Sequence, residues 1–142
     1  MIRYNLLIFI VISLLFTAYR VLLPVEVVGI HKPGETSTIV IVKHFPITRA
    51  GKISWWKKNR SKLGKQFPFI LSAKNHRVVF FETEYKKDSG TDQDSDLLCF
   101  KDIPGEVNCV SKQNRPLLVR HYPDGHTEYI TENMFQRFLR HF

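Results

Sequence analysis

The first twenty-three residues constrain this chain more than any other stretch, because they are almost entirely apolar. The segment between Arg3 and Arg20 carries no charge, and the residues that follow are apolar up to Leu23. As a helix, the apolar stretch ending at Leu23 spans about 30 Å at 1.5 Å per residue, which matches the hydrocarbon core of a bilayer. The sequence therefore predicts a membrane anchor over residues 1–23 and a separate domain over residues 24–142.

A cleaved secretory signal is the alternative interpretation of the same segment. Arg3 would then be its basic start, and residues 6–16 would be its apolar stretch. Cleavage requires small residues at two spaced positions, but Ala18 is preceded two positions earlier by the bulky Phe16. We therefore expect a retained, single-pass anchor.

Cysteine usage indicates the compartment of the outer domain. Flanking charge does not, because Arg3 and the amino terminus nearly balance Arg20 and Lys32. The two cysteines, Cys99 and Cys109, lie ten positions apart across a Pro-Gly turn and suggest a disulfide. Disulfides persist in the periplasm or outside the cell and are rare in the cytosol, so we expect the outer domain to lie outside the cytoplasm. Two reduced core cysteines remain the alternative.

Charge is unevenly distributed along the chain, whose formal net charge is +8. Residues 36–81 contain ten Lys or Arg and no acid, whereas residues 82–106 contain eight acids and three Lys. Such asymmetry favours acidic partners or surfaces. Nucleic acid would suit this composition, but a domain outside the cytoplasm would not normally meet it, so we expect no nucleic-acid partner.

The outer domain is predicted to be α+β, mainly antiparallel sheet with one longer helix packed on it. Its expected strands are β-branched or aromatic runs bounded by turn signals. They cover residues 25–30, 37–45, 76–85, 97–103, 107–112, 116–122 and 126–130. The first two form a hairpin around the turn sequence HKPGET, and the last two form a hairpin around PDG. A three-residue loop at 103–105 would place Cys99 opposite Cys109.

The longer helix begins after Thr48, whose side chain is a suitable N-cap. Its apolar face is expected to contain Ile53, Trp56, Leu63 and Phe67, and Gly64 is expected to fray or end it. A second, terminal helix is predicted from apolar residues at helical spacing. These residues are Met134, Phe135, Phe138, Leu139 and Phe142, with Arg137 and Arg140 on the opposite side.

Metal sites are not expected. His121, His126 and Asp124 surround one hairpin turn, but catalytic zinc normally takes three protein ligands, and spacing places no third histidine here. The acidic run 92–96 spaces Asp92, Asp94 and Asp96 like the first ligands of an EF-hand. That pattern fails at Leu97, where glycine is needed, and at Ile103, where glutamate is needed, so a flexible acidic loop is expected.

Catalysis is not expected either. No serine lies in a nucleophile-elbow pattern, and a disulfide-bonded cysteine cannot act as a thiolate. A glycine-rich phosphate loop is also absent from the sequence. We therefore expect a protein that is not an enzyme and that needs no cofactor.

Two adjacent tryptophans, Trp55 and Trp56, lie within residues 43–65, which contain eight Lys or Arg and no acid. Neighbouring helical residues differ by about 100°, so both rings cannot occupy one narrow face. Trp56 shares the apolar stripe with Leu63 and is the predicted core residue, whereas Trp55 is expected at the boundary beside the cations.

This basic helix is the predicted partner-binding surface, with Trp55 as an anchor, because Trp and Arg are enriched at binding hot spots. The expected partner-binding residues are Trp55, Lys52, Lys57, Lys58, Arg60 and Lys62. A basic, solvated helix with a packed tryptophan pair is the alternative.

The stretch VKHFPITRAGKISWW, preceded by PVEVVGIH and followed by LLCF, resembles a family of small enterobacterial membrane proteins catalogued as DUF943. The resemblance covers most of the chain and is most specific from Lys43 to Trp56. The resemblance implies an inner-membrane anchor and an envelope location, and it supplies no catalytic residues. Together with the expected disulfide, it leads us to expect a single-pass inner-membrane protein whose outer domain lies in the periplasm. The family's accessory character resembles that of immunity proteins that neutralise secreted antibacterial toxins. We thus expect a domain that binds an acidic protein, with a basic face resting on anionic lipid headgroups as the alternative function.

Overall fold

A computed structural model describes residues 1–70, 75–88 and 97–132. Within these residues the chain forms two α-helices, one short 3₁₀ turn and eight strands. In chain order they are α1 (Ile2–Leu22), β1 (Glu26–Gly34), β2 (Ser37–Lys43), α2 (Arg49–Gln66), the 3₁₀ turn (Pro68–Ile70), β3 (His76–Glu82), β4 (Lys86–Lys87), β5 (Leu97–Cys99), β6 (Val107–Ser111), β7 (Leu117–His121) and β8 (Thr127–Thr131). The predicted terminal helix and the acidic run 92–96 lie outside the described residues.

Helix α1 corresponds to the predicted anchor. The part from Ile2 to Arg20 is long and apolar enough to cross a bilayer, and its side chains are exposed. The helix ends at Leu22, one residue before the predicted boundary. Exposed apolar side chains along a whole helix are favourable only where lipid or protein covers them.

Five strands form a mixed sheet in the order β1-β2-β3-β7-β8. Strands β2 and β3 are parallel, and the other neighbouring pairs are antiparallel. Parallel neighbours need a crossover connection, and α2 lies in that connection. A second, three-stranded sheet has the order β4-β6-β5. The α+β architecture, mainly antiparallel with one helix packed on the sheet, is confirmed.

Both faces of the interior strand β2 are buried. Val40 and Val42 belong to the cluster that contains Trp56 of α2. Ile39 and Ile41 belong to a second cluster, which includes side chains of the small sheet and its loop. A strand covered on both faces explains why β2 is a continuous β-branched run without polar alternation.

Helix α2 begins as predicted, because the Gly51 amide donates to the Thr48 hydroxyl oxygen at 3.0 Å. The expectation that Gly64 would end the helix is wrong. The helix continues to Gln66, and the Phe67 amide donates to the Leu63 carbonyl at 2.8 Å. Leu63 and Phe67 pack on the core, and this packing holds the last turn despite the low helix propensity of glycine.

Several predicted strand limits shift. β1 extends through the predicted turn residues His31 to Gly34, and only residues 35–36 form the turn. Two irregularities in the β1–β2 register accompany this longer strand. β3 ends at Glu82, three residues earlier than predicted.

The register of the cysteine hairpin is confirmed, since Cys99 pairs with Cys109 and the two form a disulfide. The connecting loop is wider than the predicted three residues and spans residues 100–106. Gly105 has a φ of +104°, a conformation that glycine adopts without a Cβ penalty. The Phe100 amide still donates to the Asn108 carbonyl at 2.9 Å, so the ladder continues one step beyond the disulfide.

Replacing both cysteines, Cys99→Ala with Cys109→Ala, is expected to lower the free energy of unfolding by about 2 to 3 kcal/mol, because the crosslink restricts the unfolded chain. Urea unfolding of the full chain in detergent micelles, followed by tryptophan fluorescence, measures this difference. Reductant should bring the wild type to the level of the variant and leave the variant unchanged. Alkylation of both thiols in denatured but unreduced protein would contradict the prediction.

Candidate functional site

The predicted binding residues on α2 point in several directions, because Trp56 turns one side of the helix into the core. Lys52, predicted as a partner-binding residue, is only 5% exposed. Its ammonium group donates to the Glu132 carbonyl at 3.0 Å. Lys52 therefore ties α2 to the end of β8 and does not belong to an exposed surface.

The remaining predicted cations of α2 are exposed, as is one further lysine near its end. They are Lys57, Lys58, Arg60, Lys62 and Lys65. We call these five residues the basic face. No carboxylate of residues 1–70, 75–88 or 97–132 lies within 4.0 Å of their charged groups. Their charge is therefore uncompensated locally within the described chain, which leaves a field that attracts anionic groups.

The positive field of α2 also reaches the sheet. Burial lowers the pKa of His121, and the nearby Arg60 charge lowers it further. Burial likewise lowers the pKa of His76, with smaller contributions from His121 and Lys32. Because these pKa values lie below the ordinary value of 6.5, both imidazoles are mainly neutral at pH 7. The positive charge on this side of the domain thus comes from Lys and Arg.

Trp55 is half-buried rather than a free surface anchor. Its ring makes edge contacts with Phe45 at 5.4 Å and with Phe80 at 5.9 Å between ring centroids. Aromatic pairs in this arrangement stabilise the fold beyond simple area burial. The remaining surface of Trp55 lines a groove and lies apart from the outermost cations of α2.

This groove, which we call the β1–α2 groove, has a volume of about 440 Å³. Its helix side comes from residues at helical spacing, namely Trp55, Asn59, Lys62 and Gln66. Its strand side and floor are mainly apolar and come from Val25, Val27, Val28, Gly29, Ile30, Leu63 and Phe67. A volume of this size is within the range of small-molecule sites, and none of the described residues that line it is acidic.

Sequence reasoning missed a second cluster, centred on His31 of β1, which is 6% exposed. The His31 Nδ1 lies 2.9 Å from the Asp102 carboxylate, and Nε2 lies 2.7 Å from the Tyr85 hydroxyl. Because an ionised carboxylate only accepts, Nδ1–H donates to Asp102, and in a neutral imidazole Nε2 then accepts from the Tyr85 hydroxyl. The imidazole also stacks on Phe100 at 3.8 Å. These contacts fasten β1 to the loop between β5 and β6.

In the His31 cluster, hydrogen bonds link a carboxylate, an imidazole and a hydroxyl in that sequence, an arrangement that can orient an imidazole as a proton acceptor. Burial raises the pKa of Tyr85, and the Asp102 charge raises it further. A cavity of about 640 Å³ lies beside the cluster and is lined by His31, Asp102 and two lysines. Tyr85 does not line that cavity. The Tyr85 hydroxyl lies instead against the backbone of Gly29. This geometry fits a structural role, in which the hydrogen bonds of His31 to Asp102 and Tyr85 hold β1 in place, and we call these three residues the His31 clamp.

The only sequence signal for this clamp is a histidine within a strand. A buried imidazole needs hydrogen-bond partners, so an inward-facing His31 would have implied them. Its partners lie 54 and 71 positions away along the chain, and no local motif connects them. The turn predicted over residues 31–36 places His31 outside a strand, so it does not indicate a buried imidazole at this position.

The histidines considered for a metal site have separate partners. His121 Nδ1 lies 2.9 Å from the Thr127 hydroxyl. His126 Nδ1 lies 2.6 Å from the Asp124 carboxylate. Among the described residues, one group has ligand atoms close enough to hold an ion, namely Asp88 with the two cysteines. Both of its sulfurs are in the disulfide and are not thiolates, so this group does not fit a metal.

Comparison of the sequence with known protein families agrees with a membrane protein. The family model described as "Enterobacterial putative membrane protein (DUF943)" matches residues 1–139. The match covers the apolar helix as well as the domain. No curated protein and no solved structure matches the chain.

Gly29→Ala is expected to lower the free energy of unfolding by about 1 to 3 kcal/mol, because a Cβ at this position meets the Tyr85 hydroxyl. Tyr85→Phe alone should cost about 1 kcal/mol through the lost hydrogen bond to His31. In the Tyr85→Phe background, Gly29→Ala should lower the free energy of unfolding by less, because the obstructing hydroxyl is gone. Urea unfolding of the four proteins in this cycle measures the coupling.

Gly34→Ala is the matched control, because a Cβ at Gly34 meets nothing within 4 Å. Its effect should stay within about 0.5 kcal/mol. An equal cost of Gly29→Ala in both backgrounds would show that the Tyr85 hydroxyl does not define this contact.

Proposed function

This chain belongs to the enterobacterial membrane protein family DUF943, and we infer that α1 anchors it in the inner membrane. We propose in addition that residues 24–142 bind an acidic protein in the periplasm. Helix α1 has the length and composition of a span. The disulfide between Cys99 and Cys109 supports a periplasmic domain, because such bonds are rare in the cytosol.

The basic face carries the binding part of the proposal. Five cations are exposed on one helix, and no carboxylate of the described chain neutralises them. A charged face of this kind steers an oppositely charged partner and raises its association rate. The face is presented on a rigid support, since Trp56 and Leu63 lock α2 onto the sheet.

The partner class that we propose is a secreted antibacterial toxin that acts in the periplasm or at the inner membrane. In this role the domain is an immunity protein that neutralises the toxin by occupying its surface. Neutralisation of this kind requires binding and no turnover, so the proposal assigns no reaction and no cofactor to the domain. A single-pass anchor would keep the domain beside the membrane, where such a toxin acts.

Orientation is tested with two fusions at the carboxyl terminus. A periplasmic domain should give an active alkaline phosphatase fusion and a non-fluorescent fusion to a green fluorescent protein that folds only in the cytosol. The same fusions to a cytoplasmic protein and to an exported protein calibrate the two signals. If the phosphatase fusion is inactive and the green fluorescent protein fusion is fluorescent, the domain lies in the cytosol and the periplasmic part of the proposal is wrong.

The immunity role is tested by competition between sibling strains. A strain lacking the gene should be outcompeted by the parent, and the wild-type gene should restore its survival. Lys58→Glu with Lys65→Glu should restore survival poorly, because a reversed field lowers association by about tenfold or more. Both lysines point outward from α2 and line no part of the β1–α2 groove.

The matched control is Lys86→Glu with Lys101→Glu, which makes the same charge change at exposed positions away from α2. This variant should protect as well as the wild type when both are present in the membrane at equal amounts. Undiminished fitness of the deletion strain would refute the immunity role. Equal protection by both double variants would refute the basic face as the binding surface.

A further inference from the structure

We propose that the β1–α2 groove binds the headgroup and the first part of one acyl chain of an anionic phospholipid from the bilayer that holds α1. This site is separate from the outward part of the basic face and goes beyond the proposed function. The occupant follows from the position of the groove, from the order of its lining residues and from their charge.

The groove lies close to the membrane because of chain connectivity. α1 ends at Leu22, and Val25, three residues later, already lines the groove. Three extended residues span at most about 11 Å. The near end of the groove must therefore lie within that distance of the end of α1, at the level of the lipid headgroups.

The helix side of the groove changes from an aromatic residue to polar residues with distance from the anchor, over an apolar floor. Glu26 pairs with Lys43, so the start of β1 and the end of β2 lie at the same end of the sheet. α2 starts shortly after β2, and the contact of Trp55 with Phe45 places this early helix residue near that end. Gln66 follows about 16 Å further along the helix axis. Tryptophan is typical of the membrane interface, and here it occupies the near end.

The polar rim suits a phosphate. Lys62 offers an exposed ammonium group, and Asn59 and Gln66 offer amide N–H donors. The Asn59 amide nitrogen also donates to the Trp55 carbonyl at 2.8 Å, which orients this side chain. No acidic side chain of residues 1–70, 75–88 or 97–132 lines the groove, so no carboxylate of that part of the chain repels an anion there. The apolar floor, including Val27 and Phe67, matches the start of an acyl chain.

The edge of β1 favours a lipid over an added peptide strand. β1 is the last strand of its sheet and pairs only with β2 among the described strands. Its register is irregular between Val27 and Gly29 and again between His31 and Gly34. Bulges of this kind disrupt the regular row of backbone groups that a pairing strand requires. A lipid needs no backbone ladder, so these irregularities do not oppose it.

The test uses the full chain in nanodiscs of palmitoyl-oleoyl phosphatidylglycerol that contain a trace of the same lipid with a photoactivatable diazirine near the start of one acyl chain. After illumination, mass spectrometry measures labelling of groove peptides, and labelling of α1 peptides serves as the internal reference. The parallel sample uses phosphatidylcholine with the matching probe. We expect normalised groove labelling in phosphatidylglycerol to be about fivefold higher than in phosphatidylcholine.

Two variants test the site itself. Lys62→Glu removes the rim cation, and Val27→Trp fills the floor; each should reduce normalised groove labelling at least about fivefold. Lys65→Glu is the matched control, because it makes the same charge change on the same helix outside the groove, and its labelling should stay at the wild-type level. Gln66→Trp, at an exposed rim position, replaces Val27→Trp if the latter fails to melt cooperatively.

Equal groove labelling in the two lipids would overturn the anionic headgroup assignment. An equal loss for Lys62→Glu and Lys65→Glu would show general charge attraction without a site, and unchanged labelling in the filled variant would place the lipid elsewhere. The competition assay changes Lys58 and Lys65, neither of which lines the groove. Failure of the immunity role and failure of the lipid site can therefore be told apart.

Discussion

The burial of Trp56 between α2 and the centre of the sheet is the interaction on which the rest of the domain depends. Its side chain is fully buried, and its ring meets Phe80 edge to face at 5.8 Å. The indole N–H has no hydrogen-bond partner among the described residues, and an unpaired buried donor costs about 1 to 3 kcal/mol. Apolar and aromatic packing must outweigh that cost, and in doing so it sets the rotation of α2 about its own axis.

That rotation decides what each neighbouring side chain can do. At about 100° per residue, placing Trp56 in the core turns Trp55 toward the strand at the sheet edge and Lys52 toward β8. The outermost positions then fall to cations such as Lys58 and Lys65. One aromatic contact thus separates an apolar groove from a basic surface, although the residues of both alternate along the same helix.

Strand β1 is the second point where different parts of the molecule meet. It follows the apolar helix α1 after three residues, it forms one wall of the β1–α2 groove, and on its other face His31 is fastened to Asp102 and Tyr85. An edge strand with irregular register would be loosely held by its ladder alone. The hydrogen bonds of His31 hold β1 on the face that packs against Phe100 and Tyr85, so β1 keeps a defined position in the domain.

The sequence by itself determined the features that depend on residues close together in the chain. The apolar helix follows from composition, the start of α2 from the Thr48 cap, and the opposition of Cys99 and Cys109 from hairpin symmetry. Only the tertiary structure decided the parallel pairing of β2 with β3, the burial of Lys52 and the joining of His31 to Tyr85 and Asp102. The physical reason is that a turn, a cap or an amphipathic period is a local preference, whereas a contact between residues forty or more positions apart depends on how completed elements pack.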